Sequence, residues 1–147
     1  MIHTVLLIED NPSDILLIQR AFQLAAFPQV SLQILQDGDT AIAYLRGERE
    51  FSNRDRYPLP ALLLLDWNLP RRSGPEVLRW LKQQPGLKRL PVVMLSSSRE
   101  QANINQAYDL GANSYLTKPG GIEALSELLR TIHAYWLRYS EQPALYE

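Results

Sequence analysis

Apolar positions change period repeatedly along this chain. The stretches HTVLLIE, VSLQILQ, ALLLLD, PVVMLS and NSYLTK read as short strands. Three of them, at 5–8, 61–65 and 92–95, are continuous apolar runs, as expected of strands buried on both faces. Between the strands, apolar residues recur at helical spacing. Ile15, Leu16, Ile18 and Phe22 mark the first helix, and Ala41, Ile42 and Leu45 the second. Val77, Leu78 and Leu81 mark the third, and Ile104, Ala107 and Tyr108 the fourth. The last is the longest: Ile122, Leu125, Leu128, Leu129, Ile132, Tyr135, Trp136 and Tyr139. Five strands alternating with five helices predict an α/β architecture with a parallel sheet covered on both faces.

Two segments stand outside this alternation. Gly47 to Pro60, GEREFSNRDRYPLP, is polar, basic and long for a connection in a compact domain, so it is expected to be a surface loop. Tyr139 to Glu147, YSEQPALYE, reads as a frayed tail. The 147 residues suit a single domain over 1–147, with a core at about 3–138. A net charge of -1 gives no general nucleic-acid or membrane surface. No apolar run approaches membrane-spanning length. The absence of cysteine removes disulfides, thiolate metal sites and cysteine nucleophiles, and is consistent with a cytoplasmic location.

Charge matters more by position than by total. In an open parallel sheet, ligands bind at the carboxyl ends of the strands. The first strand ends in Glu9 and Asp10, the third in Asp66, the fourth in Ser96, and the fifth in Lys118. The second ends in QDGD, a plain turn by its residue types. Each polar group alone has an ordinary structural explanation. The start of the first helix, however, is already supplied by Asn11 as N-cap, Pro12 at the first position and Asp14 at the third, so it needs neither Glu9 nor Asp10. Four strands delivering chemistry to one edge is the stronger signal.

At about 5 Å separation, each pair among Glu9, Asp10 and Asp66 would repel by roughly 3 kcal/mol at an effective dielectric of about 20. Lys118 offsets part of that, and a divalent cation offsets more. Carboxylate oxygens without nearby histidine or cysteine suit Mg²⁺ or a similar hard ion. A cation, a lysine and a hydroxyl around a carboxylate form a phosphoryl-binding set, in which the carboxylate itself can be the nucleophile.

On these residues the chain resembles the receiver domains of two-component response regulators. LLIEDNPSD is similar to the receiver's first strand and acid pair, and LLLLDWNLPRRSG to its phosphorylation loop, here Asp66, Leu69, Pro70 and Gly74. PVVMLSSS is similar to its fourth strand, and GANSYLTKP to its fifth, with an aromatic three residues before Lys-Pro. The resemblance covers about residues 3–138. It implies a doubly wound, flavodoxin-like sheet of order 2-1-3-4-5.

It further implies that Asp66 accepts a phosphoryl group from a histidine kinase, with Mg²⁺ or Mn²⁺ as cofactor. Asp10 would ligate the ion directly and Glu9 mainly through water, with Asp66 and the backbone carbonyl of Asn68 completing the set. Ser96, Lys118 and the backbone N–H groups of Trp67 and Ser97 would hold phosphoryl oxygens. Ser96 and Tyr115 would form the switch, and Lys118–Pro119 a cis peptide. The resemblance implies a phosphoacceptor that catalyses its own phosphorylation and slow dephosphorylation, not a turnover enzyme.

A narrower likeness, in the long loop and the terminal AYWLRYS, is to regulators partnering cyanobacterial phytochrome kinases, some of which dimerise through the face containing the fifth helix. Trp136 and Tyr139 are then candidate contacts in a homodimer through the fourth helix, fifth strand and fifth helix, or else caps on the core. KPGG replaces the more usual Lys-Pro-Phe of receivers, which leaves the output surface near the fifth helix open. His3 and His133 have no metal-ligand spacing and read as structural. A Mg²⁺-dependent phosphatase would carry a second acid where Asn68 stands. A flavin-binding relative would carry a Gly/Ser/Thr-rich loop where EDNPSD stands, and a pseudo-receiver would lack an acid or the lysine.

Overall fold

The continuous apolar runs take the centre of the sheet because only central strands are covered on both faces. In the computed structural model, which describes residues 2–146, β1 (His3–Ile8), β3 (Leu62–Leu65) and β4 (Val92–Ser96) are almost wholly buried. The edge strands β2 (Val30–Leu35) and β5 (Ser114–Thr117) are only partly covered. All pairings are parallel, in the order β2-β1-β3-β4-β5. The crossovers are α1 (Pro12–Ala25), α2 (Gly38–Arg46), α3 (Gly74–Leu81) and α4 (Gln101–Asp109), and α5 (Ile122–Ile132) follows β5.

Alternate residues of each central strand feed two cores. Leu6, Ile8, Leu63, Leu65, Val92 and Met94 pack with buried residues of α2, α3 and α4. Val5, Leu7, Leu62, Leu64, Val93 and Leu95 pack with Ile18 and Ala21 of α1 and Leu125, Leu129 and Ile132 of α5. Among the described residues, no helix is long and apolar enough to cross a membrane.

Several sequence expectations change. The segment 47–60 is not a loose loop. It forms a 3₁₀ turn (Arg49–Ser52) and buries Phe51, which meets Tyr44 and Tyr57 at ring-centroid distances of 5.1 and 5.0 Å. Arg54 donates to the carbonyls of Tyr44 (2.7 Å) and Leu45 (3.0 Å), adding a side-chain donor at the end of α2, where backbone donors run out. The terminal segment also folds back. Arg89 Nη1 donates to Ala144 O (3.2 Å), Gln142 Nε2 donates to Trp136 O (2.7 Å), and Leu145 packs against the core. Glu147, the end of the expected tail, lies outside the described residues.

The last helix does not run as one α-helix to Tyr139, because its final turns, His133–Tyr139, widen to π-helical geometry. Tyr108 lies on α4 but is half exposed, since the buried stripe of that helix narrows to Ala107. QDGD is more than a turn: Asp37 caps α2, accepting from Thr40 N at 2.7 Å. Lys118–Pro119 is trans, as no cis peptide occurs among the described residues; trans is the form X–Pro bonds favour by about 0.5–1 kcal/mol.

Candidate functional site

The parallel ladder delivers the site. Ile8 pairs with Leu65, and Asp66 N–H donates to Ile8 O (3.1 Å). Glu9 N–H donates to Leu35 O (2.9 Å), and Lys118 N–H to Ser96 O (2.8 Å). The residue after each strand therefore keeps the register of the sheet, and its side chain emerges at the common carboxyl edge. Gly74 seats the following loop. Its N–H donates to Trp67 O (3.0 Å), and a Cβ there would lie 2.2 Å from Asp66 O. No larger residue lets α3 begin so close to the site.

Glu9 is fully buried, Asp66 is 8% exposed and Ser96 1% exposed. Asp10 is exposed. Glu9, Asp10 and Asp66 each present a carboxylate oxygen, and these oxygens all lie within 4.8 Å of one another. Glu9 Oε2 accepts from the N–H groups of Asp10 (3.1 Å) and Asn11 (3.2 Å), while Oε1 accepts from Lys118 Nζ. Lys118 Nζ also donates to Asp14 (3.0 Å) and reaches Asp66 Oδ2 at 3.5 Å. Trp67 N–H donates to Asp66 Oδ1 (2.7 Å). Asn68 and Ser97, both exposed, line the same open cleft as the acids and Lys118.

Burial pushes the Asp66 carboxyl up to about 7; the charge of Lys118 opposes this and that of Glu9 adds to it. For Lys118, burial alone lowers the pKa, but hydrogen bonds to Glu9 and Asp14 and the charges of Asp66 and Glu9 outweigh it and hold it above the ordinary value. The ammonium is thus held charged among carboxylates. The donor set fits a hard divalent cation: three carboxylates converge with a carbonyl-bearing loop beside them and no soft ligand.

Tyr115 packs edge-on to Trp67 (ring centroids 6.2 Å apart), and its hydroxyl donates to Ser98 O (2.9 Å). Ser96 Oγ accepts from Ser98 N–H (3.2 Å), so Ser96 and Tyr115 hold the same loop from two sides. Trp67 is buried in the core. Trp136 is partly buried against the α1–α5 core, whereas Tyr139 is 73% exposed. His133 stacks on Phe27 (4.4 Å), a structural role.

Sequence reasoning missed Asp14. Its place in the sequence suits the helix start, and the backbone N–H of Asp14 does donate to Asn11 Oδ1 (3.0 Å), but its carboxylate also pairs with Lys118. The available signal was its place in the first turn of a helix that leaves directly from the acid pair.

A fold of this order with paired acids, a central aspartate and a lysine at the carboxyl edge defines a receiver. Residues 5–130 match the response regulator receiver domain, and the chain belongs to that family. It is 39% identical over 140 residues to response regulator Rcp1 of Synechocystis sp., covering 95% of this chain and 92% of that protein. The crystal structure of the phosphorylated cyanobacterial phytochrome response regulator RcpA matches with a TM-score of 0.88 at 39% identity, covering 98% of this chain and all (100%) of that one. The Mn²⁺-bound form of Rcp1 matches at 0.82 and 37% identity, covering 97% and 99% of the two chains.

Proposed function

We propose that this receiver accepts a phosphoryl group on Asp66 from a phytochrome-type histidine kinase, using Mg²⁺ or Mn²⁺, and signals through a change in its binding surface. The observation that carries this is the convergence of the Asp66, Glu9 and Asp10 carboxylates around Lys118 at one sheet edge. Glu9, Asp10, Asp66 and the Asn68 carbonyl would hold the ion, and the Mn²⁺-bound relative supports that reading. Bound there, the ion supplies positive charge against the carboxylates and the phosphoryl oxygens.

An Asp66 oxygen attacks phosphorus, the P–O bond forms, and the P–N bond to the donor histidine breaks. Lys118 and the N–H groups of Trp67 and Ser97 stabilise the transferred group, and the Ser96 hydroxyl turns toward it. Because Ser96 and Tyr115 hold one loop, that turn shifts Tyr115 and biases the α4–β5–α5 face. The exposed tyrosines Tyr108, Tyr135 and Tyr139 on α4 and after α5 suit a second copy docking on that face. The protein is a stoichiometric phosphoacceptor in this scheme.

One set of samples tests the proposal. Acetyl phosphate with Mg²⁺ is expected to add one phosphoryl mass to the parent and none to Asp66→Asn. A phytochrome-type kinase is expected to label faster than unrelated kinases, and sedimentation to show a dimer that Tyr139→Ala weakens. Equal labelling of parent and Asp66→Asn overturns the acceptor, indifference among kinases overturns the phytochrome partner, and identical sedimentation overturns the dimer contact.

A further inference from the structure

Strained backbone and charge meet at a second place, one loop away from the acid pocket. Four non-glycine residues among those described have positive φ: Ala26, Gln29, Arg49 (54°) and Arg71 (67°). Left-handed backbone disfavours any side chain with a Cβ, and glycine adopts it freely. The two arginines line the same cleft of about 480 Å³, bounded by α2, the 3₁₀ turn and the loop after β3. An arginine gains nothing from such a backbone, and both side chains extend into the cleft lining.

The cleft contains more cations than it neutralises. Arg46 pairs with Glu48 (3.1 Å) and Arg72 with Asp39 (2.8 Å). Arg71 reaches Asp37 only at 4.0 Å, and that carboxylate already accepts from Thr40 N and Oγ1 at 2.7 and 2.8 Å. No carboxylate among the described residues lies within that reach of Arg49. Glu50 is the one acid of the lining without a pair. Arg49 and Arg71 are exposed, with Ile42 and Phe51 buried behind them. The cleft is polar and open, unlike the mostly apolar enclosures that take small cofactors.

It is also joined to the phosphorylation loop. Gly38 N–H donates to Pro70 O (3.3 Å), and a Cβ on Gly38 would lie 2.0 Å from Arg72 O. The start of α2 and the loop that carries Asp66 are therefore packed backbone to backbone.

We propose that this cleft docks a short acidic segment of a partner protein, whose carboxylates pair with Arg49 and Arg71. Planar guanidiniums on fixed backbone suit bidentate carboxylate recognition. The site is separate from the α4–β5–α5 face and from the acid pocket, which repels the same ligand.

The test is an NMR titration of the whole protein with hexaglutamate peptide at low and high salt. Saturable shifts are expected around Arg49, Arg71 and Gly38, weakening with salt. The double variant Arg49→Gly, Arg71→Gly is expected to bind about fivefold or more weakly, a loss of the size exposed ion pairs allow. Its thermal midpoint is expected to be unchanged or higher, since glycine suits both positions. Glu50→Gln is expected to tighten binding. Unchanged affinity in a folded double glycine variant overturns the proposal. So do shifts centred elsewhere, or tighter binding of inorganic pyrophosphate than of the peptide.

Discussion

The carboxyl edge of the sheet and the α1–α5 face treat buried polarity in opposite ways. At the edge, Glu9, Asp66, Ser96 and Lys118 are withdrawn from water, and each has a polar partner. On the α1–α5 side the buried residues are apolar apart from Ser126, which is fully buried and whose Oγ has no partner among the described residues. The first arrangement stores like-charge repulsion that a divalent cation can relieve. The second holds a single small hydroxyl inside an otherwise apolar layer. Clustered, mutually partnered charge marks the functional edge here, whereas the α1–α5 layer holds one isolated hydroxyl.

The largest test removes the cation. Lys118→Met leaves Glu9 buried without its ammonium and takes the positive charge away from Asp14 and Asp66. Breaking a buried pair from one side costs roughly 3–5 kcal/mol, and Asp14's exposure places this case near about 3. Urea unfolding in EDTA is expected to show that loss, with Mg²⁺ restoring more stability to the variant than it adds to the parent. An unchanged midpoint would mean that the acids do not depend on Lys118.

A smaller effect comes from Asp66 itself. Its ordinary value is 3.8 and its folded value about 7, so the folded state binds this proton more tightly than the unfolded chain. The contribution to stability is full below about 4 and is lost as pH rises through about 7. Metal-free parent protein is expected to become less stable from pH 5 to pH 8, and Asp66→Asn to show a flatter profile over the same window. At pH 8 the variant is expected to be the more stable of the two, because it no longer buries a charge and no longer repels Glu9. Parallel profiles would remove Asp66 as the source of the dependence.

Much of this contrast was legible in the sequence, for a physical reason. Continuous runs such as LLLL at 62–65 leave little choice but a strand covered on both faces, and whatever follows must emerge at the edge. That logic located Glu9, Asp10, Asp66, Ser96 and Lys118 together. It was blind where one residue serves two purposes or where contacts join distant segments. Asp14 was explained by the helix start and so hid its pairing with Lys118. The terminal segment looked frayed because its anchors, Arg89 and the core beneath Leu145, lie far away in sequence. The arginine cleft needs the 3₁₀ turn beside α2 and the loop after β3, which no local pattern brings together. Ser126 sat among apolar helix positions with nothing to show whether its hydroxyl had a partner.

The smallest effect belongs to Ser126, and it decides what that position is for. Ser126→Ala removes an unpartnered buried hydroxyl at little cost in volume and substitutes a better helix former. The variant is expected to gain about 1 kcal/mol in urea unfolding, with phosphoryl uptake at Asp66 unchanged. Ser126→Val keeps the site apolar but adds volume against a close-packed neighbourhood, and is expected to lose roughly 1–3 kcal/mol. A gain for alanine with a loss for valine makes size the requirement. A loss for alanine would mean that the hydroxyl has a partner, a buried water being the ready candidate, and the α1–α5 face would then handle polarity as the carboxyl edge does.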